Sequence, residues 1–142
     1  MKLSRTVAYA VQATLQLAQL EADGPVPCSQ LASEGKMPER FLLQILRNLV
    51  THGILRSTRG VDGGYALVRP AHQISLLEVI EAIEGPYDSP REAVGEAVAN
   101  GSQIMLREAL QQVTSTTRNQ LEAIKLSQLL RPPVEEKQPA AQ

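Results

Sequence analysis

The sequence predicts a mainly helical protein with one short β-hairpin, and three patterns lead to that prediction. The first is a turn at residues 59–64 with three glycines, flanked by β-prone arms at 54–58 and 65–68. The second is a pair of short helical segments directly before this hairpin, and the third is a long C-terminal segment with apolar residues every three or four positions. With 142 residues, 43% of them hydrophobic, the chain can form one domain with a buried core plus an extension.

The first helix is predicted from Arg5 to Leu20. Apolar side chains recur along this segment at three- and four-residue spacing, and Ser4 is placed to accept a hydrogen bond from the first free amides as an N-cap. Gly24 and Pro25 follow and end the helical pattern.

Two short helices joined by a tight turn come next. Ser29 is a candidate N-cap for a helix through Glu34. Gly35 supplies the turn, and Pro38 suits the first position of the second helix, where no amide proton is needed. The predicted inward side of the second helix consists of Phe41, Leu42, Ile45, Leu46 and Leu49. Its predicted outward side consists of Glu39, Arg40, Gln44, Arg47, Asn48 and Thr51.

Two short helices joined by a tight turn have the proportions of a helix-turn-helix, whose second helix recognises DNA. Arginine, glutamine and asparagine form hydrogen bonds with base edges and phosphates, although a merely solvated helix face has the same composition.

The hairpin carries arginines at positions 56, 59 and 69. A basic hairpin directly after a helix-turn-helix is typical of a winged helix, in which the hairpin, or wing, contacts a polyanion. The distribution of charge along the chain agrees with this interpretation, because the part that contains the hairpin is the more basic one. Residues 1–70 contain eight Lys/Arg and five Asp/Glu, a net charge of +3, whereas the remainder contains six and ten, a net charge of −4. This asymmetry is compatible with nucleic-acid binding by residues 1–70.

A further helix is predicted after Pro70, with Ser75 as its N-cap and Gly85 at its end. Its glutamates at 78, 81 and 84 are expected to face solvent, because no His or Cys accompanies them as a catalytic partner. Residues 86–101 are polar and are expected to form a loop with a weak helical turn. The tail at 132–142 has almost no apolar content and is expected to be disordered.

A long helix followed by a short terminal helix is predicted over residues 102–131. One apolar stripe runs along it with a 4-3-4-4-3 spacing: Leu106, Leu110, Val113, Thr117, Leu121 and Ile124. A single helix cannot bury this stripe alone, so we expect it to pack against the same helix of a second copy and form a homodimer. Packing against its own domain is the alternative.

The composition also excludes several classes of protein. No apolar run is long enough to span a bilayer and the N-terminus lacks the features of a signal peptide, so we expect a cytoplasmic protein without membrane contact. A single cysteine, Cys28, rules out an internal disulfide. Neither His52 nor His72 has neighbours in the sequence that suggest a metal site, and the chain contains no nucleophile-base pair or phosphate-binding loop. An enzyme is therefore not expected.

Four stretches of this sequence resemble the Rrf2 (Rrf-two) family of bacterial transcription regulators, the IscR/NsrR-like winged-helix proteins. The stretches are MKLSRTVAYAVQATLQLA, SQLASEGKMPERFLLQILRNLVTHGIL, RSTRGVDGGYALVRP and ISLLEVIEAIEGP. The resemblance covers residues 1–86 closely and extends more loosely to Leu130. It implies a mainly α fold with a winged helix-turn-helix domain at 1–85, a two-stranded β wing, and a long C-terminal dimerisation helix.

The resemblance also implies a homodimer that binds double-stranded DNA at a near-palindromic operator, most often as a repressor. The positions that it assigns to DNA contact are Lys2, Ser4, Ser29, Arg40, Gln44, Arg47, Arg56, Ser57, Arg59 and Gly60. Arg59 would enter the minor groove, whose negative potential attracts a guanidinium group. A solvated turn residue is the alternative interpretation of Arg59. A protein-interaction module built on the same scaffold is the alternative function, and it would be favoured if Arg40, Arg47 and Arg59 were paired with carboxylates.

The sequence departs from the family in the loop after Pro86. Many members bind an iron-sulfur cluster through three cysteines in this loop, whereas residues 86–105 contain none and position 8 is Ala8 rather than a carboxylate ligand. We therefore expect no cluster and no cofactor. The signal that controls the protein, a small molecule or another protein, is not identified by the sequence. Cys28 lies near a predicted helix N-terminus, which lowers a thiol pKa, so it is a candidate redox sensor, although a small buried cysteine is the alternative.

Overall fold

The computed structural model describes residues 2–20, 24–88 and 101–130. Its helices and strands are α1 (Arg5–Gln19), α2 (Cys28–Gly35), α3 (Glu39–Thr51), β1 (Leu55–Thr58), β2 (Gly64–Leu67), α4 (Leu76–Glu84) and α5 (Gly101–Ala123), with single 3₁₀ turns at Ala71–Gln73 and Leu126–Leu129. The predicted fold class, mainly helical with a two-stranded wing after a helix-turn-helix, is confirmed. The loop with a weak helical turn predicted at 86–101 falls largely on residues 89–100, and the disordered tail predicted at 132–142 falls within residues 131–142. Both lie outside the described residues.

The core forms where α1, α3 and α4 meet. Ser4 caps α1 as predicted, because its Oγ accepts a hydrogen bond from the Val7 amide at 3.1 Å. Residues at three- and four-residue spacing along α1 are buried, as are Leu42, Ile45, Leu46 and Leu49 of α3. Packing against α1 and α4 therefore fixes the orientation of α3. The face of α3 opposite this contact remains in solvent.

Four local predictions around α2 and α3 were wrong. Ser29 does not cap α2, because the helix starts at Cys28 with Pro27 as its N-cap. Pro38 is likewise the N-cap of α3 rather than its first residue. Gly35 does not supply the turn, because it is the last residue of α2 and the turn residue is Lys36, at φ 56°.

Two flexible side chains approach the backbone of Gly35 closely. A Cβ atom at this position would lie 2.7 Å from Gln12 Nε2 of α1 and 2.6 Å from Met37 Cε. The fourth wrong prediction is the inward orientation of Phe41, which is 40% exposed.

The wing is joined to the helical core at its base. β1 and β2 are antiparallel, with Leu55 opposite Leu67 and Thr58 opposite Gly64. β2 also pairs with the segment before α2, since the amides of Val26 and Tyr65 donate to each other's carbonyl oxygens at 2.9 and 2.8 Å. Only a glycine fits at position 64, because a Cβ atom there would lie 2.3 Å from the Val26 carbonyl carbon and φ is +152°. The wing thus has a fixed position relative to the helix-turn-helix.

The C-terminal end of α5 returns to the domain. The amide of Leu76 donates to Ile124 at 2.8 Å and that of Leu126 donates to Ile74 at 2.9 Å. Leu121 is 7% exposed and packs in a cluster with Val7, Leu77 and Ile80. None of the helices in the described ranges is both long and apolar enough to cross a membrane.

Candidate nucleic-acid interface

The exposed face of α3 carries polar side chains with hydrogen-bonding capacity. Arg40, Gln44, Arg47 and Asn48 are all exposed, and their spacing of three and four residues places them on adjacent positions of one helix face. The buried face of α3 is held by four leucine and isoleucine side chains, so the polar face is presented by a rigid element. Its groups match the donors and acceptors that base edges offer in a major groove.

Two arginines of α3, Arg40 and Arg47, and two of the wing, Arg56 and Arg59, have no carboxylate partner within the described part of the chain. Other arginines do form such pairs: Arg69 with Glu78 and Arg118 with Glu81, each at 2.5 Å. The guanidinium groups of Arg40, Arg47, Arg56 and Arg59 take part in neither, and all four residues are exposed. The pairing that would have favoured a protein-interaction module is therefore not found among these residues. Exposed, unpaired guanidinium groups are suited to phosphate binding.

Arg59 begins the turn at the tip of the wing. Gly60 follows it at φ +111°, a backbone conformation that suits glycine. On β1, both Arg56 and Ser57 are exposed. Successive residues of a strand point to opposite faces, so Arg56 and Ser57 lie on the two sides of the wing. The wing therefore presents Arg59 at its end and Arg56 along one side.

Three further predicted contacts lie at helix N-termini. Lys2 and Ser4 are exposed before α1, and Ser29 is exposed in the first turn of α2. The amides of a first helical turn have no intrahelical acceptor and attract anions. Ser4 already uses its Oγ as the cap of α1, so any phosphate contact there uses its remaining hydrogen-bonding capacity.

Two glutamates of α4 that were expected to face solvent are instead bound by arginines. Glu78 accepts from Arg69 Nη2, and Arg69 also donates to the Gln73 carbonyl at 2.6 Å. Partial burial acts to raise the pKa of Glu78, but hydrogen bonds from Arg69 and Ser75 and the charge of Arg69 outweigh burial and lower the pKa. The position of Arg69 between the wing and α4 is therefore fixed by this pair.

Glu81 forms the second pair. It accepts from Arg118 of α5 and from the Tyr87 amide at 2.8 Å. Arg118 is 37 residues away in the chain. Sequence reasoning missed both pairs, because no local pattern links partners at such separations.

Cys28 is the first residue of α2, and its thiol does not have the lowered pKa expected from a helix N-terminus. Burial raises the pKa of Cys28, and the nearby Glu39 carboxylate raises it further. Sγ lies 3.7 Å from the Glu39 carbonyl oxygen, a weak hydrogen bond. The expected lowering was wrong, and the thiol form that results is poorly suited to redox sensing.

The apolar stripe of α5 is only partly covered. Leu106 is 49% exposed and Val113 is 61% exposed, whereas Leu121 is buried against the chain's own domain. A separate apolar groove of about 520 Å³ lies along α1, and Val11, Leu15, Leu76 and Leu129 are among the residues that line it. The described residues thus leave both an apolar helix stripe and an apolar groove without a partner.

Comparison with known proteins agrees with a winged helix-turn-helix that presents α3 and the wing to DNA. Residues 3–132 match the model of the Rrf2 family, described as an iron-dependent transcriptional regulator. The chain is 35% identical over 128 residues to Rv1287 of Mycobacterium tuberculosis (strain H37Rv), covering 89% of this chain and 80% of that protein. It is 34% identical over 110 residues to the HTH-type transcriptional regulator IscR of Cronobacter sakazakii, covering 78% and 67%. The solved structure of T. potens IscR superposes with a TM-score of 0.77 at 26% identity, covering 98% of this chain and 94% of that one.

The residues of this chain do not fit the iron that appears in the family description. Iron-sulfur clusters are bound by several thiolates, and the 142 residues include one cysteine, Cys28. Within residues 2–20, 24–88 and 101–130, no three His, Cys, Asp or Glu side chains are placed to hold a metal ion. The absence of a cluster stays a prediction, and no part of the function proposed below is assigned to iron.

Proposed function

The chain belongs to the Rrf2 family of DNA-binding transcription regulators, and from this premise we propose that it acts as a homodimeric repressor of a near-palindromic operator. The observation that carries the proposal is the set of four exposed arginines without carboxylate partners on α3 and the wing. The function is stoichiometric binding without a chemical step, and we expect the protein to act in the cytoplasm.

In the proposed complex, α3 enters the major groove. Arg40, Gln44 and Arg47 form hydrogen bonds with base edges or adjacent phosphates. The fixed base of the wing then directs Arg59 toward the neighbouring minor groove, where the backbone near Gly60 can approach the sugars closely. Lys2, Ser4, Ser29, Arg56 and Ser57 are proposed to contact the phosphate backbone and set the register of binding.

The homodimer is supported by the two uncovered apolar surfaces. The groove lies beside Leu76 and Leu129, close to the C-terminal end of α5, whereas the exposed part of the stripe begins at Leu106. Leu106 and Leu121 are 15 residues apart, which in a continuous helix is a distance of roughly 22 Å. The exposed N-terminal part of the stripe therefore cannot fold back onto the groove of its own chain. The N-terminal half of α5 from a second copy can cover that groove. Two α5 helices packed in antiparallel orientation would bury both surfaces reciprocally, as a two-fold axis requires.

Selection from random duplexes tests the DNA-binding part of the proposal. We expect an enriched near-palindrome whose half-sites lie about one helical turn apart, roughly 34 Å, to match two α3 helices. Arg47→Ala should weaken binding to the selected site more than Lys125→Gln, which removes a cation at the residue that pairs with Ser75, the N-cap of α4. An unenriched pool, or equal losses for the two variants, would refute the assignment of α3.

Sedimentation of α5 variants tests the dimer separately. Val113→Lys places a charge in the exposed part of the stripe and should convert the dimer to a monomer with an intact fold. Ser115→Lys adds the same charge on the opposite face of α5, where residue 115 is exposed, and should leave the dimer unchanged. A wild-type monomer, or a dimer that tolerates Val113→Lys, would contradict the proposed interface.

The repressor assignment requires a separate measurement, because DNA binding alone does not give the direction of control. A reporter gene placed behind the selected operator should be expressed more strongly when the protein is removed. The effector is proposed to be a small molecule or another protein, since no described group of side chains suggests a metal.

A further inference from the structure

Phe41 occupies an unusual position for the only phenylalanine in the chain. It is the third residue of α3 and is 40% exposed, although the apolar pattern of the helix predicted it to face the core. Gln44 and Asn48 lie three and seven residues further along, so Phe41 shares the exposed face that carries these two amides.

An aromatic contact supports the ring of Phe41. Tyr9 of α1 packs edge-to-face against it, with ring centroids 5.7 Å apart and planes at 75°. Tyr9 itself packs against the core cluster, whereas Phe41 is not part of that cluster. The phenyl ring is therefore supported from behind by α1 and open on its outer side.

The other large apolar side chains exposed in the described residues have different locations. They lie on α5, on the wing, or at Leu3 and Leu129 beside the apolar groove. Phe41 is the one on α3, next to residues that carry hydrogen-bonding groups. Exposed phenyl surface on such a face costs solvation free energy, which a fitting apolar partner would recover.

We propose that Phe41 recognises the 5-methyl group of a thymine in the major groove of each operator half-site. This assignment rests on the DNA-binding function proposed above. In the major groove the base edges are polar except for the thymine methyl, which is the apolar group that a phenyl ring can contact. The N-terminal residues of a recognition helix are those that reach base edges, and Phe41 lies there between Arg40 and Gln44. Tyr9 acts as a positioning residue that holds the ring in one orientation.

Replacement of thymine by uracil tests this contact, since it removes the methyl group and keeps every hydrogen-bonding group of the base. Each thymine of the selected operator is replaced singly by deoxyuridine, and the Kd of the full-length protein is measured for every duplex. At one position in each half-site we expect binding to weaken about fourfold, which is the effect of burying one methyl group. The same measurements are made with Phe41→Ala, Phe41→Leu and, as a control with an exposed apolar residue on the wing, Val61→Ala.

The proposal predicts that Phe41→Ala binds the thymine and uracil duplexes equally at that position, while Val61→Ala keeps the fourfold difference. Phe41→Leu retains apolar bulk and should keep part of it. Equal binding of all uracil duplexes by the wild-type protein would overturn the assignment without any variant having to fold. Unchanged methyl sensitivity in Phe41→Ala would overturn it as well. Failure of the proposed function looks different, because no duplex would then be bound with sequence preference.

Discussion

Replacement of Arg59 by alanine should change the salt dependence of DNA binding in a way that can be counted. Five cationic residues per protomer are proposed to contact DNA, namely Lys2, Arg40, Arg47, Arg56 and Arg59. A homodimer thus brings ten cations to the operator. Each neutralised phosphate contributes about −0.9 to the slope of log K against log salt. With one phosphate neutralised by each bound cation, the wild-type slope should be about −9 and that of the Arg59→Ala dimer about −7.

The difference is large in a titration. Between 50 and 200 mM salt the wild-type affinity should fall by about 10⁵-fold and that of the variant by about 10⁴-fold. Arg59 is exposed at the tip of the wing, so its loss should leave the unfolding transition unchanged. Lys125→Gln serves as the matched control, because it removes a cation at the residue that pairs with Ser75, the N-cap of α4, and should leave the slope at the wild-type value. An Arg59→Ala slope equal to that of the wild type would refute the minor-groove assignment of the wing. An equal change in the control would show that the slope reports net charge and not a contact.

Three predictions concern stability and are measured by urea denaturation. Gly64→Ala should destabilise the protein by about 2 kcal/mol or more, because the new Cβ overlaps the Val26 backbone at a positive φ; a smaller loss would mean that the wing base can shift freely. Ser75→Ala should cost about 1 kcal/mol, since it removes the cap of α4 and leaves the Glu78 amide without its acceptor, whereas unchanged stability would show that the cap is dispensable. Because the pKa of Glu78 is lowered in the folded protein, its ionised carboxylate stabilises the fold at pH values above the ordinary pKa, 4.5. This stabilisation is lost as the pH falls through the pKa that Glu78 has in the folded protein. The loss of stability on acidification should therefore be smaller in Glu78→Gln than in the wild type, by less than about 1 kcal/mol because the pair with Arg69 is partly exposed, and equal losses would contradict the assigned pair.

Features set by neighbours in the sequence were predicted well. Ser4 and Ser75 cap their helices because an N-cap and the amide that it accepts lie only three residues apart. The buried side of α1 and most of that of α3 follow from the helical period for the same reason. The hairpin was recognisable because its glycines and arms form one continuous stretch.

Predictions failed where a distant contact outweighed a local rule. Phe41 fits the edge of the apolar stripe of α3, but α1 covers only one side of its ring through Tyr9. The local rule for a cysteine at a helix N-terminus failed at Cys28, because burial and the Glu39 carboxylate act in the opposite direction. The start of α2 lies two residues earlier than predicted, because Pro27 rather than Ser29 is its N-cap.

The acidic face of α4 shows why the ion pairs of Arg69 and Arg118 could not be found from the sequence. The three glutamates have the spacing of a solvated helix face, and that spacing is identical whether or not an arginine lies opposite. Arg69 and Arg118 reach this face from the end of the wing and from α5, and their positions depend on how those elements pack. The DNA contacts themselves stay predictions, since partners outside the chain leave no trace in its internal contacts.

The apolar stripe of α5 is a second case in which the sequence pattern does not specify the packing partner. A spacing of 4-3-4-4-3 specifies which side of a helix is apolar, but it does not say which neighbour covers each part of that side. The structure divides the stripe between two environments, because the hydrogen bonds of Leu76 and Leu126 hold its C-terminal end against the domain and bury Leu121 there. The end of the stripe that was proposed to form the dimer is therefore already satisfied within one chain. What a second copy can still cover is the N-terminal half, and this restriction makes Val113, rather than Leu121, the position at which a charge tests dimerisation without unfolding the protomer.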